Sequence, residues 1–363
     1  MYHIAFIIEQ ALGHRTHGRN LQALVPNDPD VTAYWGLPEQ QPDGLAFKVP
    51  PFNRNWTLQA GLQARRMVAG LSRRVKIDGL FFHTQVTAVL ASKWLDRYPS
   101  IVSLDATPLQ YDSLGDYYDH NVGQDWLERL KWSLTRSCFQ KASRLVTWSE
   151  WARQGLVEYD IDPEKAVVIP PGVDTTAWAR PQPRQANGEV VKILFVGGNL
   201  ERKGGLLLLN AFRALRQRDT LPTVELHLVT KDSVSAEPGL LVYNDMEPNS
   251  DPLKRLYHDC DIFCLPTYGD CLPMVLSEAG AAALPAISTR VAAIPEIVRD
   301  GETGFLIPPG DEAALTSALE WLVADPDLRR QHGRQAAELI NRHYNAAQNA
   351  TRLLDLLKQT IHP

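Results

Sequence analysis

Short strand-type runs alternate with helical ones along the whole chain, and that alternation constrains the fold more than any single motif. Apolar, β-favouring runs at residues 4–8, 79–82, 101–104 and 145–148 are separated by helix-forming stretches, one around Asn20 and another at 86–95. After Gly188 the pattern restarts, with runs at 190–196, 224–229, 240–243, 261–265 and 286–289. Strands that alternate with helices predict parallel sheets covered by helices, and the restart predicts two doubly wound α/β units. A Pro- and Gly-rich stretch, 170–188, separates them. We place the first domain at 1–172, the second at 173–340 and a terminal helical segment at 341–363. A length of 363 residues also favours two domains. The last helical run, 327–359, is long for one packed helix.

Composition narrows the function class. The net charge is −5, with 18 Lys/Arg against 18 Asp/Glu in residues 1–172 and 19 against 24 beyond, so no basic footprint for nucleic acid exists. The opening apolar run lacks the basic flank of a signal peptide, and no stretch approaches the length of a transmembrane helix; the expectation is a soluble, cytoplasmic chain. Cys138, Cys260, Cys264 and Cys271 include no Cys-x-x-Cys pair, which fits reduced thiols rather than zinc.

Residues 266–278 carry the sharpest chemical signal. Asp270 and Glu278 stand eight apart, across a turn that leads from an apolar run into the helix-forming stretch 274–283. Pro273 suits the first helical position. Free amides at the positive end of that helix suit a diphosphate, while the two carboxylates can accept hydrogen bonds from sugar hydroxyls. Any strand-loop-helix unit can carry two acids at this spacing, so the segment needs support from elsewhere. It comes from residues 193–205, an apolar strand that enters a turn with Gly197, Gly198, Gly204 and Gly205 around Arg202 and Lys203. Glycine permits close backbone approach, and the two cations would face a pyrophosphate as a fork and a point charge. Lys203 is followed by Gly-Gly rather than Ser or Thr, so this is not a P-loop; the bland alternative is two solvated cations on a loop.

These segments resemble the donor site of the retaining glycosyltransferases of family 4, in which two glutamates stand eight apart before an alanine-rich helix. Here Asp270 replaces the first glutamate, and Cys271-Leu272-Pro273 replaces the usual Gly-Phe-Gly. The arginine that usually follows the glycine is Asn199, so we assign its role to Arg202. Residues 167–174 resemble the family's Ile-Pro-Asn-Gly-Val-Asp segment, and 295–307 its Glu-Ile-Val to Gly-Phe-Leu segment. The four matches follow the family's order. The resemblance implies the GT-B fold, two Rossmann-like domains facing across a cleft with the last helix crossing back to the first domain. It implies transfer, with retention, from a nucleoside-diphosphate sugar, UDP being the favoured base, to a hydroxyl acceptor that is a glycan, a lipid or a small molecule. Neither metal nor cofactor is implied: Arg202, Lys203 and helix amides would stabilise the leaving diphosphate, and Asp259-Cys260-Asp261 matches an Asp-x-Asp metal motif only superficially.

By the same resemblance Gly13, Gly198, Arg202, Lys203, Cys271, Leu272 and Glu278 would hold the donor, with Glu278 on the ribose, while Asp270 would take sugar hydroxyls. The family's catalytic histidine has no direct counterpart. Asp105, after the run 100–104, occupies its place and competes with His83, which ends the preceding run; a turn-forming role for Asp105 is the bland alternative. His14 and His17, on what reads as a polar loop, are acceptor-site or donor-sugar groups, zinc ligands that lack a third partner, or solvated surface. Two other functions stay open: a nucleotide-sugar-binding protein without transfer activity, suggested by Asp105 and Asp270 themselves, and a GT-B epimerase or phosphorylase. Finally, the cation-rich stretch 64–76 and the Trp-, Leu- and Lys/Arg-containing stretch 126–144 are read either as solvated faces or as a peripheral membrane contact.

Overall fold

The computed structural model describes residues 1–10, 13–39, 55–115, 125–181 and 190–362. The chain divides into two compact units, one of Met1–Ser113, His120–Pro171 and Ala346–Pro363, the other of Leu114–Asp119 and Gly172–Asn345.

Unit 1 is built from β1 (Tyr2–Ile7), α1 (His14–Leu24), β2 (Val31–Gly36), α2 (Trp56–Leu71), β3 (Gly79–Phe82), α3 (Gln85–Ala88), α4 (Ser92–Leu95), β4 (Ser100–Leu104), α5 (Pro108–Ser113), α6 (Asp125–Lys141), β5 (Arg144–Thr147), α7 (Glu150–Gln154) and β6 (Ala166–Val168). Every strand pairing is parallel, in the order β2-β1-β3-β4-β5-β6. Each face of the sheet is buried. On one side Ala5, Ile7, Phe82 and Val102 pack against Ala64 and Val68 of α2, Trp94 of α4 and Phe139 of α6. On the other, Ile4, Phe6, Phe81 and Ile101 pack against Leu21 of α1 and against Leu353, Leu354 and Leu357.

Unit 2 comprises β7 (Val190–Val196), α8 (Gly205–Leu215), β8 (Thr223–Val229), β9 (Leu240–Tyr243), α9 (Asp251–Asp259), β10 (Ile262–Leu265), α10 (Met274–Ala281), β11 (Ala286–Thr289), α11 (Ile294–Ile297), β12 (Gly304–Ile307), α12 (Glu312–Ala324) and α13 (Pro326–His343). Its sheet is also all parallel, ordered β12-β11-β10-β7-β8-β9. The runs of Val, Ile, Leu and Phe in β7, β8 and β10 are what a strand covered on both faces requires. Gly333 brings α13 against α10: a Cβ there would lie 2.2 Å from the Ala283 carbonyl oxygen. That close packing helps bury α10 and its one acid, Glu278.

The run 327–359 is two helices. α13 ends at His343, and α14 (Ala346–Ile361) packs on unit 1. There the Asn349 amide donates to the Pro170 carbonyl at 3.1 Å, the Arg352 guanidinium to the Val168 carbonyl at 2.9 Å, and Lys358 pairs with Asp28 at 2.7 Å. The stretch 86–95 likewise divides, into α3 and α4.

Because the apolar side of α14 completes a core cluster of unit 1, Leu357→Ala, at a site 1% exposed, is expected to cost about 2–5 kcal/mol. A fall in the denaturant midpoint at unchanged m-value measures it, and an unchanged midpoint contradicts the assigned role of this helix.

Candidate functional site

In each sheet the strand order reverses once, and the reversal is where a parallel sheet opens a crevice at its carboxyl edge. In unit 2 the reversal falls between β7 and β10. The loop after β7 carries Gly198, Arg202 and Lys203; the loop after β10 carries Asp270, Cys271 and Leu272. The β7 loop turns on Asn199, whose side-chain oxygen accepts from the Arg202 amide at 2.8 Å. Gly204 then takes φ +73°, and a Cβ there would stand 1.9 Å from the Pro266 carbonyl oxygen. The two loops therefore touch through backbone. They are tied again by the Tyr268 amide donating to the Arg202 carbonyl at 2.9 Å.

Asp270 is the electrostatic centre. Lys203 Nζ lies 2.6 and 2.7 Å from its two oxygens, Arg202 Nη1 lies 3.2 Å from Oδ1 and 2.6 Å from the Gly269 carbonyl, and the Thr267 hydroxyl lies 2.8 Å from Oδ2. Both carboxylate oxygens are thus occupied by protein donors. Gly198, beside the cluster, faces open space. The arrangement fits a phosphate-binding role for Arg202 and Lys203 and shows what Asp270 does in the ligand-free chain: it holds two like charges together.

Pro273 stands at the N-cap of α10, with Met274 the first helical residue, and no side chain caps the end. This corrects the placement of Pro273 inside the helix; ψ of 113° keeps it extended. Cys271 and Leu272 are buried. Glu278, one turn into α10, is also buried, and Tyr257 of α9 donates to its Oε2 at 3.0 Å. Burial pushes the Glu278 carboxyl up to about 7, against a smaller opposing effect of the tyrosine hydrogen bond. The same burial, together with the Glu278 charge, raises the Tyr257 phenol well above its usual range. Asp261, the second acid of the superficial metal motif, accepts from the Lys192 amide at 2.8 Å.

In unit 1 the reversal falls between β1 and β3. His14 and His17 do not lie on a polar loop: they open α1, three residues apart on one face, and both are buried. This overturns the solvated-surface reading, because β1 and β3 deliver Gly13 and His83 to the same edge and α1 must start there. His17 Nδ1 lies 2.9 Å from His83 Nε2. His14 Nε2 lies 3.8 Å from Asp105 Oδ2, and the Tyr111 hydroxyl donates to the same oxygen. Trp148, after β5, packs its ring on all three histidines at 5.0–5.5 Å and donates to Ser103 at 2.8 Å. Burial, then the neighbouring histidines, lowers His17 to about 3 and His83 well below its ordinary value, so both rings are neutral at pH 7. Among the described residues His14 Nδ1 and His83 Nδ1 have no hydrogen-bond partner. Asp105 and His83, posed as alternatives by the sequence, share one cluster. Glu9, which sequence reasoning passed over, accepts from Trp56 at 2.6 Å and from Thr84. Tyr111, Trp148, Tyr257 and Thr267 were also missed, and no local spacing marks them.

Two family models match the chain: "Glycosyltransferase Family 4" over residues 10–177 and "Glycosyl transferases group 1" over residues 191–325. Among curated proteins it is similar to the MMP alpha-(1->4)-mannosyltransferase of Mycolicibacterium hassiacum, 31% identical over 56% of this chain and 52% of that protein. The D-inositol 3-phosphate glycosyltransferase of Corynebacterium kroppenstedtii is 29% identical over 61% and 54%. The chain therefore spans about half the length of these relatives. The phosphatidyl-myo-inositol mannosyltransferase of Mycobacterium leprae is 26% identical over 93% and 87%. Among solved structures, the sucrose-phosphate synthase of Thermosynechococcus elongatus superposes with a TM-score of 0.77 at 15% identity, covering 99% of both chains. HepE of Anabaena, solved with UDP, gives 0.72 at 17% identity, covering 99% of this chain and 100% of that one. At such identities the structural likeness establishes the fold.

The raised Glu278 pKa has a consequence for stability. The folded chain retains a proton that the unfolded chain, with an ordinary value of 4.5, gives up earlier. The contribution is fully present below pH 4.5 and is lost as pH rises through about 7. Unfolding free energies from denaturant titrations at a series of pH values should therefore fall across that window for the wild type relative to Glu278→Gln. His17 and His83 titrate equally in both proteins and cancel. Parallel curves would refute the assignment.

Proposed function

Since the chain belongs to glycosyltransferase family 4 and has the GT-B fold, we propose that it transfers a sugar, with retention, from a nucleoside-diphosphate sugar to a hydroxyl acceptor without a metal ion. The observation that carries this reading is the convergence of Arg202 and Lys203 at the strand-order reversal of unit 2. UDP is the favoured base, in keeping with HepE, which was solved bound to it.

Each residue then has a task. A donor diphosphate shares Lys203 and Arg202 with Asp270, and the amides at the start of α10 complete its cradle. Negative charge grows on the leaving phosphate as the glycosidic bond breaks, and fixed cations stabilise it there without reorganising. Asp270, relieved of part of its cation contacts, accepts from sugar hydroxyls. Glu278, held by Tyr257, accepts from the ribose. Asp105 orients the anomeric carbon, steadied by Tyr111 and His14, while neutral His83 and His17 offer hydrogen bonds without charge to sugar or acceptor hydroxyls. The relatives' names carry sugars and acceptors of several kinds. We place the reaction in the cytoplasm, where nucleotide sugars serve as donors.

Three measurements test the reading. Lys203→Ala and Glu278→Ala should each weaken UDP binding by about ten-fold or more, since each removes a charge-assisted contact; calorimetry with unchanged affinities would refute the donor site. Asp105→Asn should keep UDP binding within a few-fold yet lower the transfer rate by roughly 10²-fold or more. A wild type that binds UDP-sugars and transfers none points instead to a binding protein. Transfer should survive EDTA, and loss restored by Mg²⁺ or Mn²⁺ would overturn metal independence.

A further inference from the structure

Arg202 and Lys203 sit on a turn with little intrinsic shape. Residues 197–205 include four glycines, which leave the backbone a wide choice of conformations, and the two cations on the turn repel one another. For both to meet one carboxylate, the turn has to be held from outside. One hold comes from the β10 side, where the Arg202 carbonyl accepts from the Tyr268 amide at 2.9 Å and from the Thr267 hydroxyl at 3.1 Å. That fastens the half of the turn at Arg202 and leaves the half before it to be fixed by something else.

The second hold comes from the loop after β8, on the other side of β7. Asp232 Oδ2 accepts from the Leu200 amide at 2.7 Å. Leu200 anchors the first half of the turn: its carbonyl accepts from the amide of Gly205, the first residue of α8, at 2.7 Å, and its side chain is buried. The packing is tight enough that a Cβ on Gly205 would lie 2.4 Å from Leu200 Cδ2. Asp232 is itself fastened. Its amide donates to the Thr230 hydroxyl at 3.2 Å, and the Asn244 side chain, after β9, donates to the Thr230 and Asp232 carbonyls at 3.0 and 3.2 Å. Hydrogen bonds therefore run across the carboxyl edge of the sheet from the β9 loop, through the β8 loop, to the turn that carries the cations. Among the described residues no cation pairs with Asp232, and its Oδ1 takes no hydrogen bond. An acid on a loop next to an anion site works against the anion unless its task is the turn itself, and an ionised acceptor holds an amide roughly twice as strongly as a neutral one.

We propose that Asp232 is a positioning residue of the donor site: through the Leu200 amide it fixes the turn in the form that presents Arg202 and Lys203 together to a diphosphate. It touches no substrate and acts through those two cations. The proposal rests on the donor-site reading given above. Pinned at Leu200 by the β8 loop and at Arg202 by the β10 loop, the cations are in place before the diphosphate arrives, so binding spends little on ordering them. The same preorganisation serves the leaving phosphate as its charge grows.

The test uses the full chain and compares UDP with uridine, so that the ratio of the two affinities measures what the phosphates add; should guanine be the base, GDP and guanosine take their place. Asp232→Ala should lower that ratio by about ten-fold or more, because misplaced cations no longer meet the phosphate oxygens together, while nucleoside affinity and melting temperature stay near wild-type values. Asp232→Asn keeps an oxygen for the Leu200 amide and should hold the ratio within about three-fold of wild type. If Asp232→Ala does not fold, Asn244→Ala, which loosens Asp232 from its far side, carries the same expectation. An unchanged ratio, an equal loss of nucleotide and nucleoside affinity, or an Asn variant as weak as the Ala variant overturns the proposal while the donor site stands. A wild type that binds neither UDP nor GDP refutes the donor-site reading and takes the proposal with it.

Discussion

A parallel sheet whose strand order reverses leaves, between the two strands at the reversal, a pair of outgoing loops that lead to opposite faces and cannot close over one another. Both units of this chain are organised around that constraint. In unit 2 the gap between β7 and β10 is bridged by the Asp270 carboxylate, on which Lys203 and Arg202 meet. Two cations side by side in a site only 15 and 21% exposed repel each other and lose hydration, and a carboxylate between them offsets both costs. The shorter side chain of aspartate, in place of the family's glutamate, suits this inward role.

Unit 1 meets the same constraint with neutral groups. His17 and His83 are too deeply buried to hold a proton near neutrality, and the Trp148 ring packs against both, edge-on to His17 and tilted to His83. A neutral imidazole offers one donor and one acceptor, which suits recognition of hydroxyls rather than phosphates. The two units thus differ in kind at their reversals: paired charge in unit 2, and in unit 1 neutral imidazoles with the buried carboxyl groups of Asp105 and Glu9.

Glu278 combines the two styles. It sits on a helix whose apolar neighbours and close packing against α13 remove it from water, so its charge is costly and Tyr257 is its only hydrogen-bond partner among the described residues. A ribose bringing two hydroxyls to that carboxylate would supply the hydrogen bonds it lacks, which favours binding to the ionised form and couples donor binding to proton release.

The α/β class, the two units and the strand-to-loop segments that carry Arg202, Lys203 and Asp270 were legible in the sequence, because each rests on local periodicity or on residues within one loop. Contacts across long separations were not. Lys203 and Asp270 are 67 residues apart, His17 and His83 66, Tyr257 and Glu278 21, and no periodic pattern links such pairs. The histidines of α1 read as loop because His, Thr, Asn and Gly are weak helix formers; the strand edge below them and the packing of Leu21 decide otherwise. The run 327–359 reads as one helix because nothing inside it is a strong breaker, yet it stops at Tyr344 where that residue is buried and its carbonyl accepts from Val173. Sequence alone set the periodicities and placed the chemical groups. Only the tertiary structure decided which of those groups face one another, because that choice depends on strand order, which is fixed by packing both faces of each sheet rather than by any stretch of residues.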